Sequence, residues 1–129
     1  MAQVKIYGLH TNFEKNRVSL SESIHQSVME ALSYPAEKRF HRFIALNSDD
    51  FVFPSGRTNE YIIIEILMFE GRTADAKKAL IRALYTNIER TCGIEANDIE
   101  ITIIETPKEN WGIRGLPGDE LTLNYKVEV

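Results

Sequence analysis

YIIIEILMFEGRTADAKKALIRALYTNIERTCGIEANDIEITIIETPKENWGIRG, residues 61–115, reads as a strand, a glycine-arginine-threonine turn, a helix, a second strand and a loop around one tryptophan. Residues 61–69 are nearly all apolar, as expected of a strand covered on both faces. Thr73 can cap the next helix, Asp75 suits its positive end, and Ala76, Leu80, Ala83, Leu84 and Ile88 recur at helical spacing as an inner stripe. Gly93 closes that helix, and 98–105 is the next long strand. A strand, a helix and a strand of these lengths suit a right-handed parallel crossover.

Working outward, a weaker copy of the same pattern occupies the first half, offset by about sixty residues, so one motif is used twice. Val4 and Ile6 alternate with Gln3, Lys5 and Tyr7, which places a strand over 2–9. Val18, Leu20, Ile24, Val28 and Leu32 then predict a helix over 13–33, ended by Pro35 with Tyr34 pushed out of the α region. Residues 40–46 form the next strand. Turn residues on both sides of Phe51-Val52-Phe53 predict a short hairpin or lid-like link over 48–60, and 107–120 is a loop before a short terminal strand, 121–129. The expected organisation is a single domain over 1–129, with halves at about 2–47 and 61–105, the link between them, and a C-terminal loop and strand over 106–129. Its fold class is α+β: two βαβ units make a four-stranded sheet with both helices on one face. The uncovered face, with the apolar 62–68 strand in it, calls for a closed cyclic oligomer.

Composition narrows the function. At 129 residues the chain can bury about two thirds of its unfolded surface. A formal charge of −4 and a pI near 5.4 argue against nucleic acid as partner, because phosphate-backbone binding rests on lysine and arginine. There is no basic helix for anionic lipid, and the run 62–69, broken by Glu65, is too short to span a membrane. Polar Gln3 and Lys5 stand where a secretory signal would turn apolar, so a cytoplasmic location is expected. Cys92, the one cysteine, reads as a packing residue.

Candidate chemistry lies in the arginines. The chain shows no glycine-rich phosphate loop, no metal-spaced cluster and no Ser-His-Asp order, so neither cofactor nor metal is expected. His10, His25 and His41 are isolated in sequence and read as surface or packing residues; Glu65, amid apolar neighbours, is either paired or on an edge. Arg57 follows Gly56, Arg72 follows Gly71, and Arg114 stands between Ile113 and Gly115, so three guanidinium groups ride on tight turns. Arg42 alternates with Phe40, Ile44 and Leu46 on a strand face that should be apolar, and a buried arginine needs an anion or acceptor. Structural ion pairs with the carboxylates are the competing reading of each arginine. Trp111 can wall a pocket or anchor its loop.

With two βαβ units, Glu70-Gly71-Arg72-Thr73 at the second helix and Glu109-Asn110-Trp111-Gly112-Ile113-Arg114-Gly115 after the last long strand, nearly the whole chain resembles the tautomerase superfamily. The best match is its fused, double-length branch, which includes the malonate semialdehyde decarboxylase-like and macrophage migration inhibitory factor-like proteins. The resemblance implies a homotrimer with sites between subunits, and an amino-terminal proline, freed by loss of methionine, as acid or base. It also implies keto-enol isomerase chemistry on a small anionic carbonyl compound such as a 2-oxo acid. Arg72 falls where single-length family members carry a carboxylate-binding arginine, and Trp111 falls on their pocket aromatic. Ala2 replaces the proline, so with Met1 removed the catalytic group would be a primary amine. An unperturbed α-amino group titrates at roughly 7.7–8.0, and a nearby arginine or apolar pocket lowers that. Lys38 stands where the decarboxylase branch has an acidic residue, and Glu100 where the single-length enzymes have a second arginine, for which Arg42 could substitute. The expected site is therefore Ala2 and Arg72 as catalytic groups, with Arg42, Arg57, Trp111 and Arg114 binding substrate. Two alternatives stand beside the isomerase: a noncatalytic trimeric small-molecule-binding or interaction protein without the proline base, and an unrelated ferredoxin-like ligand-sensing or RNA-binding module. Acidic charge counts against RNA.

Overall fold

In the computed structural model, residues 2–122 and Val127 are described. The elements are β1 (Ala2–Leu9), α1 (His10–Leu32), β2 (His41–Leu46), β3 (Ile62–Phe69), α2 (Ala74–Cys92) and β4 (Ile99–Thr106), followed by two-residue strands β5 (Gly112–Ile113) and β6 (Leu116–Pro117). The main sheet has the order β2-β1-β3-β4. Each βαβ unit pairs its own strands in parallel, β1 with β2 and β3 with β4, and the units join through an antiparallel β1–β3 pair that runs from Ala2↔Met68 to Gly8↔Ile62. The expected α+β class and the helical layer on one face are what the chain forms.

The strand period of two decides which residues meet the helices. Val4, Ile6, Ile62, Ile64, Ile66 and Met68 point into one core with Leu20, Ile24 and Val28 of α1 and Leu80, Leu84 and Ile88 of α2. Burying each such side chain contributes about 1.5–3 kcal/mol. The two helices pack against each other as well as on the sheet. Their contact includes a polar seam in which Asn87 Nδ2 donates to Ser27 Oγ at 2.9 Å and the Ser27 hydroxyl donates to the Ser23 carbonyl at 2.8 Å. Each member of that seam has a partner, which is what makes its burial tolerable.

Local chemistry explains the helix ends. Thr73 Oγ1 accepts from Ala76 N at 3.1 Å, Asp75 lies in the first turn of α2, and Gly93 at φ +71° ends it with its N–H on the Glu89 carbonyl. Helix α1 differs from expectation at both ends. It begins at His10, directly after β1, instead of at residue 13, and ends at Leu32 because Ser33 turns left-handed at φ +52°, before Pro35 acts.

Other expectations also need correction. Val18, assigned to the inner stripe, is 71% exposed, because the true stripe runs Phe13, Leu20, Ile24, Val28, Leu32 and position 18 lies off it. The 61–69 run is not covered on both faces: Ile63, Glu65 and Leu67 face the open side of the sheet, half-buried within one chain. Strands β2 and β4 begin one residue later than expected, at His41 and Ile99. The 48–60 link is no hairpin. Ser48–Asp50 is a short 3-10 turn, Phe51, Phe53 and Tyr61 pack ring on ring, and buried Asp98 anchors the loop by accepting from Thr58 N at 2.8 Å and Thr58 Oγ1 at 2.6 Å. The 107–120 loop contains the β5–β6 hairpin, whose tip residues Arg114 and Gly115 both have positive φ, +51° and +87°. Of the terminal strand expected over 121–129, Leu121 and Thr122 are not in a strand and the rest, apart from Val127, lies outside the described residues.

Gly8 marks the tightest corner, where β1 passes into α1. A Cβ there would meet the Phe13 ring at 2.7 Å and Ile62 Cγ2 at 3.2 Å, and Phe13 is fully buried. Overpacking of this kind costs about 1–3 kcal/mol, so Gly8→Ala should lower the urea midpoint accordingly, without change of slope. An unaltered midpoint would show that the corner can yield.

Candidate functional site

The antiparallel β1–β3 pair brings the amino end of β1 beside the carboxyl end of β3, and parallel pairing adds the start of β2 and the end of β4 to the same rim. Ala2, 3% exposed, therefore lies beside Met68, one residue from Phe69 and close in sequence to Arg72. The Ala2 nitrogen donates to the Tyr34 hydroxyl oxygen at 3.0 Å. Tyr34 is buried in the segment that leads from α1 to β2, so the nitrogen is held by a side chain from the same unit.

Arg72 is buried, 5% exposed, in the turn that opens α2, and its Nη1 donates to the Phe69 carbonyl at 3.4 Å. Trp111 meets the Phe69 ring edge to face, centroids 5.3 Å apart, and its Nε1 donates to Thr106 Oγ1 at 2.6 Å. Buried Gly118 clamps the loop from behind, its N–H on the Trp111 carbonyl at 2.8 Å. Lys77 and Glu105 pair at 2.7 Å beside it. These contacts leave a cavity of about 290 Å³ lined by Gln3, Leu67, Thr106, Asn110, Trp111 and Gly112. A second, of about 390 Å³, is lined by Gln3, Arg39, Phe40, His41 and Arg42. Gln3 belongs to both.

Of the residues expected at the site, Arg42 and Trp111 line these cavities and Ala2 and Arg72 lie at the same end of the sheet, whereas Arg114 is not among the residues that line either. Arg42 is exposed, not buried as its strand pattern suggested, because β2 is an outer strand; its Nη2 donates to Gln3 Oε1 at 3.3 Å. Arg114 is exposed at the tip of the β5–β6 hairpin. Arg57 is not brought to this rim. It sits at the opposite end of the sheet, paired with Glu100 Oε1 at 3.0 Å and lying 5.7 Å over the Tyr61 ring. Hydrogen bonds from Tyr61 and Arg57 hold the Glu100 carboxyl below its usual range, while burial and then the bond to Glu100 push the Tyr61 hydroxyl up to about 12. The sequence reading missed Tyr34, Gln3 and Arg39; Tyr34 was visible only as a helix-ending neighbour of Pro35.

Glu65 proves to be paired, on a central strand. Lys5 Nζ lies 3.6 Å from Glu65 Oε1, and the Tyr7 hydroxyl donates to the same oxygen at 2.8 Å, which raises the Tyr7 pKa. His25 and His41, isolated in sequence, are ring neighbours at 6.1 Å. His25 Nε2 lies 2.7 Å from the Ala36 carbonyl, and since a carbonyl only accepts, that nitrogen carries the proton. Among the described residues no group of three acidic, histidine or cysteine side chains could hold a metal ion, and no helix is long and apolar enough to cross a membrane.

A four-stranded mixed sheet of two βαβ units backed by two helices is a tautomerase-like fold. The family model described as "Tautomerase enzyme" matches residues 38–114, and the chain belongs to that family. It is 40% identical over 57 residues to the 2-hydroxymuconate tautomerase of Pseudomonas putida, a match covering 44% of this chain and 90% of that protein. Among solved structures, malonate semialdehyde decarboxylase superposes with a TM-score of 0.80 at 19% identity, over 92% of this chain and 99% of that one. A fused 4-OT, solved as an asymmetric trimer, superposes with a TM-score of 0.79 at 19% identity, over 91% and 96% of the two chains.

The His41 ring is pushed down to about 4 by burial first, then by His25 and by the Arg39 charge. The unfolded chain takes up this proton near 6.5 and the folded one only near 4, so between those values the unfolded state binds more protons. His41 thus contributes stability that is complete above pH 6.5 and lost as pH falls toward 4. NMR titration should find the ring neutral at pH 5, and His41→Gln should flatten the fall of the denaturation midpoint between pH 6.5 and 4; a ring that titrates near 6.5 would refute the burial argument.

Proposed function

We propose that this protein is an isomerase of the fused tautomerase branch that moves a proton in a small 2-oxo acid or related carboxylate, at sites completed between the subunits of a homotrimer. The observation that carries this reading is the Ala2 nitrogen, buried and 3.0 Å from the Tyr34 hydroxyl, at the end of the sheet that also holds the Arg72 turn and the cavities lined by Arg42 and by Trp111. With Met1 removed that nitrogen is a primary amine. It accepts the enol O–H proton and, as ammonium, returns a proton to carbon, so the net change is a proton shift with nothing oxidised or reduced. Arg72, Arg42 and Arg114 hold the carboxylate and stabilise the enolate, and Trp111 walls the cavity. Neither cofactor nor metal enters the reaction.

The trimer is supported by the open sheet face, where Tyr7, Ile44, Leu46, Ile63, Leu67 and Ile104 surround the Lys5–Glu65 pair, and by the trimeric assembly of the fused 4-OT of like fold. In a three-fold ring all subunits point the same way along the axis. Within one chain Arg57 lies at the far end as the partner of Glu100, so only a neighbouring subunit could bring it to the proposed site. Light scattering coupled to gel filtration should give three times the 14.8 kDa chain mass. A monomer at micromolar concentration would sink the interface site.

The terminus is the sharper test. With the mass of the processed chain verified, Ala2→Pro should accelerate ketonisation of a 2-hydroxydienoate, since general-base assistance is worth about a hundredfold to ten-thousandfold. Arg72→Ala in that background should lose about tenfold or more, as expected for a charged hydrogen bond of about 1.5–3 kcal/mol. If the proline variant is no faster than buffer from about pH 5 to 9, a span that brackets the titration of a terminal amine, the chain is a noncatalytic binding protein on a tautomerase scaffold.

A further inference from the structure

Between α1 and the outer strand β2 lies a half-open cavity of about 360 Å³, lined by Arg17, Val18 and Ser21 from the helix and by Arg39, His41 and Phe43 from the strand and its approach. Residues 17, 18 and 21 share one helix face, while 39, 41 and 43 alternate toward it, so the two elements make one continuous surface. Among the described residues no carboxylate lines it. Among the described residues neither Arg17 nor Arg39 is in an ion pair. Arg17 instead lies over the Phe43 ring, 5.9 Å from its centroid, which keeps the guanidinium at the cavity wall.

The neutral groups add a donor. Ser21 Oγ and His41 Nδ1 are 2.8 Å apart. If the hydroxyl donates, His41 keeps its Nε2–H; if the ring donates, Ser21 keeps its O–H. Either tautomer leaves one hydrogen for a third partner. Val18, 71% exposed at the rim, and Phe43 supply apolar walls that a hydrated inorganic ion would leave uncovered.

We propose that this groove is a second binding site, adjoining the one at the head of β1 and sharing Arg39 and His41 with its cavity, for a small organic carboxylate with an apolar body. Arg17 and Arg39 take the carboxylate, the Ser21–His41 pair adds a neutral hydrogen bond, and Val18 and Phe43 cover the hydrocarbon. Arg39 and His41 also line the cavity that includes Arg42 and Gln3, whereas Arg17, Val18 and Ser21 line only the groove, so those three distinguish the sites.

The test is a benzoate titration of the intact protein, followed by backbone-amide NMR and by calorimetry. Shifts are expected at Arg17, Val18, Ser21 and Phe43. Arg17→Ala should weaken binding about tenfold or more, the loss of one charge-assisted contact. Val18→Glu, at a site exposed enough to leave the fold intact, should abolish binding by setting a carboxylate at the rim. Inorganic phosphate should bind more weakly than benzoate. Shifts confined to Gln3, Arg42 and Trp111, equal affinity in both variants, or phosphate binding as tight as benzoate would each overturn the assignment.

Discussion

Everything at the Ala2 rim depends on the register of β1 against β3. Among the described residues these strands carry the only pairing between the two βαβ units within the sheet, and the pair aligns Lys5 with Glu65 and Ile6 with Ile64. A slip of one residue would turn Ile64 and Ile66 out to the open face and drive Glu65 under the helices. Burying an unpaired carboxylate there costs several kcal/mol in practice, so the slipped pairing is strongly excluded. The Lys5–Glu65 pair, reinforced by the Tyr7 hydroxyl, therefore secures alignment more than it adds raw stability.

Correct register sorts the loops to two ends with different work. At one end Ala2, the Arg39 approach to β2, the Arg72 turn and the Trp111 loop meet around cavities that share Gln3. At the other, Asp98 accepts from Thr58, Arg57 pairs with Glu100, and Phe51, Phe53 and Tyr61 pack ring on ring, which braces the connection from β2 to β3. The contrast is chemical: the arginine of the far end, Arg57, is paired with a carboxylate, while at the Ala2 end Arg39 and Arg42 line a cavity of about 390 Å³.

The same contrast shows what was legible in the chain. Strand alternation at Val4 and Ile6, the Thr73 cap and the Gly93 stop are local signals, and they held, whereas the unbroken apolar run of β3 hid which of its faces meets the helices. Gly56-Arg57 and Gly71-Arg72 carry the same local signal yet lie at opposite ends, because what separates them is one pass of β3 across the sheet, a fact of topology and not of turn chemistry. Val18 shows the limit of periodicity, since an apolar residue one step off the stripe reads as core in sequence and stands on the rim of a groove in space. The Tyr34 hydroxyl and the His25–His41 pair were invisible because each depends on contacts between segments far apart in the chain.

Alanine at the head of β1 also changes what the site can do with its nitrogen. Proline there would fix φ and leave a ring amine with a set direction. Alanine lacks that constraint, so direction must come from the surroundings, and the Tyr34 hydroxyl at 3.0 Å together with the β1–β3 pairing supplies it. In the proposed isomerase, Tyr34 and the β1–β3 pairing thus do the positioning that a proline ring would otherwise do.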